Sequence, residues 1–285
     1  WGAGRYRGAG CCGAAGAISG SMFVVTVILA EAAATVIETG CVEVEWVAAD
    51  GEWQRCALDA AAGVGFEDGQ PVRRFRPRKG QRHLSGRWWC ATNGGHVGFE
   101  SWLERDHVML LDFDPQMVGI ATQPFWLHWS DSEGKPVSHA PDVFARRRDG
   151  GVLVIDCRPV ERRRERDLAK FAVTEQVCKL LGWEYRLVAG LDPVLQGNLR
   201  WLSGYRHERH DIPAVAASLL EAFAAPMPLL AGAQAVGDPI AVLPVLFHLL
   251  WRQRLTADLS VPLGEATPVR SEEHTSELQS HLCIS

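Results

Sequence analysis

Apolar and polar residues alternate with a period of two over residues 41–68 (CVEVEWVAADGEWQRCAL and onward), which predicts a short strand, a turn at Asp50-Gly51 and a second strand. The period then changes. Residues 100–111 (ESWLERDHVMLL) have helical spacing, with Phe99, Leu103, Asp106 and Leu110 on one side and Pro115 as the stop. After 118–120, Phe125, Leu127 and Trp129 alternate as in a strand, SHAPDVFARRRDGG reads as strand and turn, and VLVIDCRP reads as an apolar strand ending in charge. Asp149-Gly150-Gly151 between the last two is a hairpin signal. Helical spacing returns over 167–181 through Leu168, Phe171, Cys178 and Leu181, and WEYRLV follows as a strand. The order helix, strand, hairpin, helix, strand predicts an α/β core with a mixed sheet. Beyond Asp192-Pro193 the pattern is helical (VLQGNLRWLSGY) and breaks at HERHDIP. Helices near 214–223 and 240–251 then precede an alternating ribbon, RLTADLSVPL. Two helices and a ribbon fit a small winged-helix unit, and a plain helical cap is the alternative.

Composition narrows the class. With 285 residues, 47% apolar and 22% charged, the chain buries a real core in one large or two modest domains, and disorder is excluded. Eight cysteines without a CxxC pair indicate neither a disulfide framework nor a zinc site, so a reducing, cytoplasmic setting is expected. The apolar run over 22–30 is broken by Glu31 and falls short of the roughly 20 residues of a membrane helix. Residues 1–40 are expected to be disordered or translated upstream sequence. From Arg270, RSEEHTSELQS resembles a translated sequencing adapter, so 270–285 is set apart from the fold. Between them the expected units are a β lead-in with a basic arm (41–98), a core (99–210) and the helical, winged-helix-like region (211–269).

The net charge of −5 says little about partners, but its distribution is uneven. In PVRRFRPRKGQRHLSGRWW, Arg73, Arg74, Arg76, Arg78, Lys79, Arg82 and Arg87 occur without an acid, interleaved with Phe75, Trp88 and Trp89. Such a segment attracts polyanions and offers rings for stacking, so DNA contact is one reading; a solvated basic loop is the other.

The candidate chemistry lies in the core. Glu104 sits on the first core helix, Asp142 follows Pro141, and Asp156-Cys157-Arg158 closes the hairpin. A hairpin sets its strands side by side, so Asp142 and Asp156 converge despite their separation in sequence. Facing carboxylates repel unless a cation lies between them. Mg2+, which takes a few carboxylates plus water and phosphate oxygens, is the natural occupant, and Mn2+ is a substitute. That site suits phosphodiester hydrolysis. Around it, Glu100 is an alternative ligand or a helix-start acid, and Gln123 before Pro124 reads as ordinary strand-start chemistry. His107 reads as surface or core; Lys170, Lys179 and Arg146–Arg148 are candidate phosphate contacts.

Pro141-Asp142 … Asp156-Cys157-Arg158 with Glu104 is a PD…(D/E)xK pattern. The phrases FESWLERDHVMLLDFDPQMVGIATQPFWLHW, HAPDVFARR, VLVIDCRP, GWEYRLV and NLRWLSGYRH resemble the TnsA-type endonuclease subunit of heteromeric transposases over about residues 82–210. The resemblance implies a restriction-endonuclease-like fold and a metal-dependent endonuclease that cleaves one strand at transposon ends. It also implies double-stranded DNA and a DDE-type transposase as partners. Glu104, Asp142 and Asp156 then hold metal, with the backbone carbonyl of Cys157 as a further ligand, and Gln123, in the Gln-Pro pair that ends the family phrase, points into the site. The family has Gln or Glu, one residue, then Lys where this chain has Asp156-Cys157-Arg158. Arg158 stays charged and takes the role of a phosphate clamp. A catalytically degenerate DNA-binding or transposase-docking subunit is the alternative.

Overall fold

The computed structural model describes residues 42–73 and 85–272, so Arg74, Arg76, Arg78, Lys79 and Arg82 lie outside the described residues. The first alternating stretch forms an antiparallel hairpin, β1 (Glu43–Val47) and β2 (Trp53–Ala57), closed where Gly51 takes φ +92°. A second hairpin, β3 (Gly86–Cys90) and β4 (Gly95–Phe99), was not expected. It changes the reading of Trp88, which is buried and donates its indole N–H to Asp112 at 2.9 Å instead of offering a stacking surface. Trp89 lies partly exposed with its ring centre 4.2 Å from that of His207.

The core follows as α1 (Trp102–Phe113), β5 (Met117–Thr122), β6 (Trp126–Ser130), β7 (Pro136–His139), β8 (Val143–Arg147), β9 (Val152–Cys157), α2 (Glu165–Leu180) and β10 (Glu184–Val188). A single expected strand over SHAPDVFARR is two. β7 pairs with β6, β8 pairs with β5 and β9, and Pro141, which has no N–H to donate, lies between them. The central sheet has the order β10-β9-β8-β5; only β9 and β10 are parallel, and α2 is their crossover. A second sheet, β2-β1-β6-β7, lies over one face. The class is therefore mixed α/β.

Alternation along β9 distributes its side chains between two cores. Val152 and Val154 join Val173 and Val177 of α2 and the rings of Phe66, Phe125, Phe144 and Trp183. Phe66 is the hub, with centroid distances of 4.7 Å to Phe125 and 5.5 Å to Phe144. Leu153, Ile155 and Cys157 point the other way, into the core that holds Val108 and Met109 of α1. Of the expected face of α1, Phe99 and Asp106 are buried and Leu103 and Leu110 pack, partly buried, against the same core, which also takes in Val108 and Met109.

The C-terminal region contains α3 (Pro193–Leu202), α4 (Pro213–Ala222), β11 (Met227–Pro228), α5 (Leu229–Val236), α6 (Pro239–Trp251), β12 (Leu255–Ala257) and β13 (Pro268–Ser271). Its strands form a sheet of order β11-β13-β12. Sequence periodicity missed β11 and α5. The expected break at Arg270 also needs correction: Arg270 pairs with Thr256 in the ladder, and buried Ser271 donates its N–H to Phe223 O at 2.8 Å. Among the described residues no helix is long and apolar enough to cross a membrane.

Candidate active site around Asp142

Each of the three acids is positioned by a different local device. Ser101 is the N-cap of α1: its hydroxyl accepts the Glu104 N–H at 3.2 Å and donates to Glu104 Oε1 at 2.9 Å. Glu104 Oε2 accepts the Glu100 N–H at 2.7 Å. This is a capping box shifted by one residue, a Ser-x-x-Glu signal readable in the sequence that explains Glu104 as a helix-start residue as well as a site residue. Burial raises the Glu104 carboxyl above its ordinary range; the bonds from Glu100 and Ser101 and the charge of Arg73 oppose the shift, and the charge of Glu100 adds to it.

Asp142 lies just ahead of β8. Its N–H donates to Ile155 O, its carbonyl accepts the Gln123 N–H at 2.9 Å, and its Oδ2 accepts the Cys157 N–H at 2.7 Å. Part of the residue surface is open, yet surrounding protein strips water from the carboxylate. That desolvation, then the charges of Asp156 and Glu104, push the carboxyl well above its ordinary range; the Cys157 N–H and Arg73 oppose them. Asp142 thus feels both other acids.

Asp156 is buried and has protein partners on both oxygens. His139 Nε2 lies 2.9 and 3.0 Å from them, and the Tyr185 hydroxyl donates to Oδ2 at 2.8 Å. His139 packs edge-on to Phe171 of α2, so Asp156 belongs to the α2 side of the sheet, opposite the core beneath α1. No local pattern indicates the partnership of Asp156 with His139 and Tyr185, because it depends on β7 and β10 converging on β9. Burial, followed by the three acids, holds the Cys157 thiol protonated, which leaves its backbone carbonyl as the group available to a cation.

The expected cations are divided by the fold. Arg73 bonds Glu100 at 3.2 Å and lies 5.7 Å from the Trp126 ring centre, which makes it part of the site's charge balance instead of an arm residue. Arg87 is exposed on β3. Arg158 donates its N–H to Val188 O and places its guanidinium 5.9 Å from the Phe171 ring centre. Arg146 pairs with Glu67, Arg147 with Glu184, and Arg148 reaches Pro115 O, so the hairpin tip does not present three free cations. Lys170 donates to Ser138 O at 2.9 Å, and His107 Nε2 lies 2.7 Å from Ala189 O.

Among the described residues, five buried side-chain atoms have no hydrogen-bond partner: Arg73 Nε, Thr122 Oγ1, both amide atoms of Gln123, and Arg158 Nε. Their residues are linked to Asp142 through the backbone, a ladder pair or charge. Thr122 pairs with Val143, Gln123 bonds Asp142, Arg158 follows the residue that donates to it, and the charge of Arg73 acts on it. An orphaned buried polar atom costs about 1–3 kcal/mol, so each of these groups calls for polar or charged company that the described residues do not supply. Gln123 also has φ +48°, a left-handed value that costs a non-glycine residue about 1–3 kcal/mol. Among the described residues no three His, Cys, Asp or Glu side chains converge to hold a metal ion. Of the orphaned atoms, Gln123 Oε1 and Thr122 Oγ1 suit a hard cation, whereas the Arg73, Arg158 and Gln123 nitrogens are N–H donors that suit an anion; the carboxylates alone do not enclose a cation.

No protein-family model matches the chain, and no curated protein matches it.

Proposed function

We propose that the protein is a metal-dependent DNA endonuclease of the TnsA type, hydrolysing one strand at transposon ends beside a DDE-type transposase. The observation that carries the reading is half-open Asp142 at the mouth of the β8–β9 hairpin, acted on by the charges of Asp156 and Glu104 and bonded through its carbonyl to Gln123, whose buried amide has no partner among the described residues. The core order α1-β5-β8-β9-α2-β10 supports a restriction-endonuclease-like topology, and α4-β11-α5-α6-β12-β13 with strand order β11-β13-β12 supports a winged-helix unit. That unit is not an obvious DNA reader: α6 (PIAVLPVLFHLLW) has no charged side chain and buries Val245, Leu246, Leu249 and Trp251.

In this reading Asp142, Glu104 and the Cys157 carbonyl hold Mg2+ or Mn2+, which when bound polarises the scissile phosphate and acidifies water. Arg158 and Arg73 orient the phosphate through guanidinium N–H groups, and neither accepts a proton. The basic segment containing Arg74, Arg76, Arg78, Lys79 and Arg82 binds the duplex backbone.

A second reading, a degenerate DNA-binding or transposase-docking subunit, draws on the commitment of Asp156 to His139 and Tyr185. A plasmid-nicking assay separates the two. Nicking with Mg2+ or Mn2+ that is lost in Asp142→Asn supports the nuclease; salt-sensitive DNA binding without nicking in either metal supports the second reading.

A further inference from the structure

We infer that Gln123 supplies a carboxamide oxygen to the cation bound at Asp142, in the position that the sequence pattern gives to Asp156; this deepens the nuclease reading and rests on it. Three observations carry the assignment. Gln123 is fully buried, and neither its amide oxygen nor its amide nitrogen has a partner among the described residues. Its backbone is fixed where the site begins: the N–H bonds Asp142 O, the carbonyl accepts the Val72 N–H at 2.9 Å, and the residue lies one step beyond the Thr122–Val143 pair, across from Asp142. Residues opposite one another in an antiparallel pair stand as side-chain neighbours. Finally, Asp156 has His139 against both of its oxygens and Tyr185 on one, on the α2 side of the sheet.

The chemistry agrees with the placement. A carboxamide oxygen is a hard, neutral ligand that serves Mg2+ or Mn2+ without adding a further repelling charge to those of Asp142, Glu104 and Asp156. Thr122 Oγ1, orphaned at the preceding position, is a second neutral oxygen in the same stretch. The left-handed φ of Gln123 has a reason on this account, since the backbone holds a non-glycine residue there to present its side chain. Asp156 becomes a positioning residue that orients His139 and Tyr185.

The test measures metal binding directly. Mn2+ is titrated into the full-length protein and free Mn2+ is read by electron paramagnetic resonance, with the metal-dependent shift in melting temperature as a second readout. Gln123→Gly removes the carboxamide while accepting the left-handed backbone, and Gln123→Glu keeps an oxygen. Gln123→Gly is expected to weaken Mn2+ binding about tenfold or more, Gln123→Glu to bind within about threefold of the wild type, and Asp156→Asn to change binding by less than about threefold. Equal Mn2+ affinity in the wild type and Gln123→Gly overturns the inference while leaving the nuclease reading intact. So does loss of binding in Asp156→Asn equal to that in Asp142→Asn, with each variant shown to melt cooperatively. A folded wild type that binds no Mn2+ at millimolar concentration overturns the nuclease reading itself.

Discussion

Two acids from neighbouring parts of the core, Asp112 and Asp142, are handled in opposite ways. Asp112, near the end of α1, is saturated: the Trp88 indole donates to one oxygen, and the Thr92 N–H, the Thr92 hydroxyl and the Cys90 thiol reach the other at 2.8, 2.9 and 3.2 Å. Burial and the charge of Asp112 push the Cys90 thiol up to about 12, so it stays a donor. Asp142 receives one side-chain bond and faces two other acids with orphaned polar atoms beside it. The lesson is that burial alone does not separate structural from functional acids. What separates Asp112 from Asp142 is how far the folded chain completes the acid's hydrogen bonding.

The sharpest way to break that contrast is to remove each acid in turn. Asp112→Ala strands four donors and is expected to cost about 3 kcal/mol or more, read as a lower urea midpoint. Asp142→Asn relieves repulsion and is expected to leave stability within about 1 kcal/mol of the wild type or to raise it, while abolishing nicking. If Asp142→Asn proves as costly as Asp112→Ala, the distinction between the two acids is gone.

Smaller in effect is the cap that holds Glu104. Ser101→Ala removes the hydroxyl that accepts from Glu104 N and donates to its carboxylate, for an expected loss of about 1 kcal/mol in thermal or urea unfolding. Metal-dependent nicking is expected to fall by no more than about threefold, because Glu100 N–H still orients the carboxylate. A loss of nicking as complete as in Asp142→Asn shows instead that the cap is what sets the geometry of Glu104.

Much of the fold was legible where the hydrophobic period is long and bounded. The β1–β2 hairpin, α1, the β8–β9 hairpin with Gly150 at φ +86°, α2 and β10 all follow from periodicity and turn chemistry. The misses are also physical. GRWWC and GHVGF formed a hairpin because Trp88 found a buried partner in Asp112, a contact 24 residues away that no local pattern encodes. The split of SHAPDVFARR between two sheets depended on Pro141, which was read as part of a motif instead of as a break. At the site, the sequence pointed to all three acids, and the charge of Asp156 does act on Asp142, but the hydrogen-bond partners of Asp156 arise from strand alternation. Cys157 faces the core beneath α1, so Asp156 faces α2 and meets His139 and Tyr185.

The smallest effect tests the same contrast through pH. Glu184 opens β10 between Arg147 and Arg186, whose Nε lies 2.6 Å from Glu184 Oε1. Desolvation raises its carboxyl, but the bonds and charges of the two arginines outweigh that and hold it below its ordinary 4.5. A carboxyl lowered on folding contributes stability that is complete above about 4.5 and is lost as pH falls through the folded value. The Glu184 side chain is 37% exposed, so screening reduces the contribution to at most about 0.5 kcal/mol. Glu184→Gln should therefore lower the urea midpoint slightly at neutral pH, with the difference shrinking at acid pH. Asp142 has the reverse sign. Its carboxyl is raised on folding, so the folded state binds more protons, and its unfavourable contribution fades as pH drops from the raised value towards 3.8. Stability curves of the two variants against pH should thus diverge from the wild type in opposite directions at the same end: Glu184→Gln lies below it at neutral pH and meets it in acid, while Asp142→Asn lies above it at neutral pH and meets it in acid. Two curves displaced in the same direction at neutral pH would mean that the fold treats its paired and unpaired acids alike.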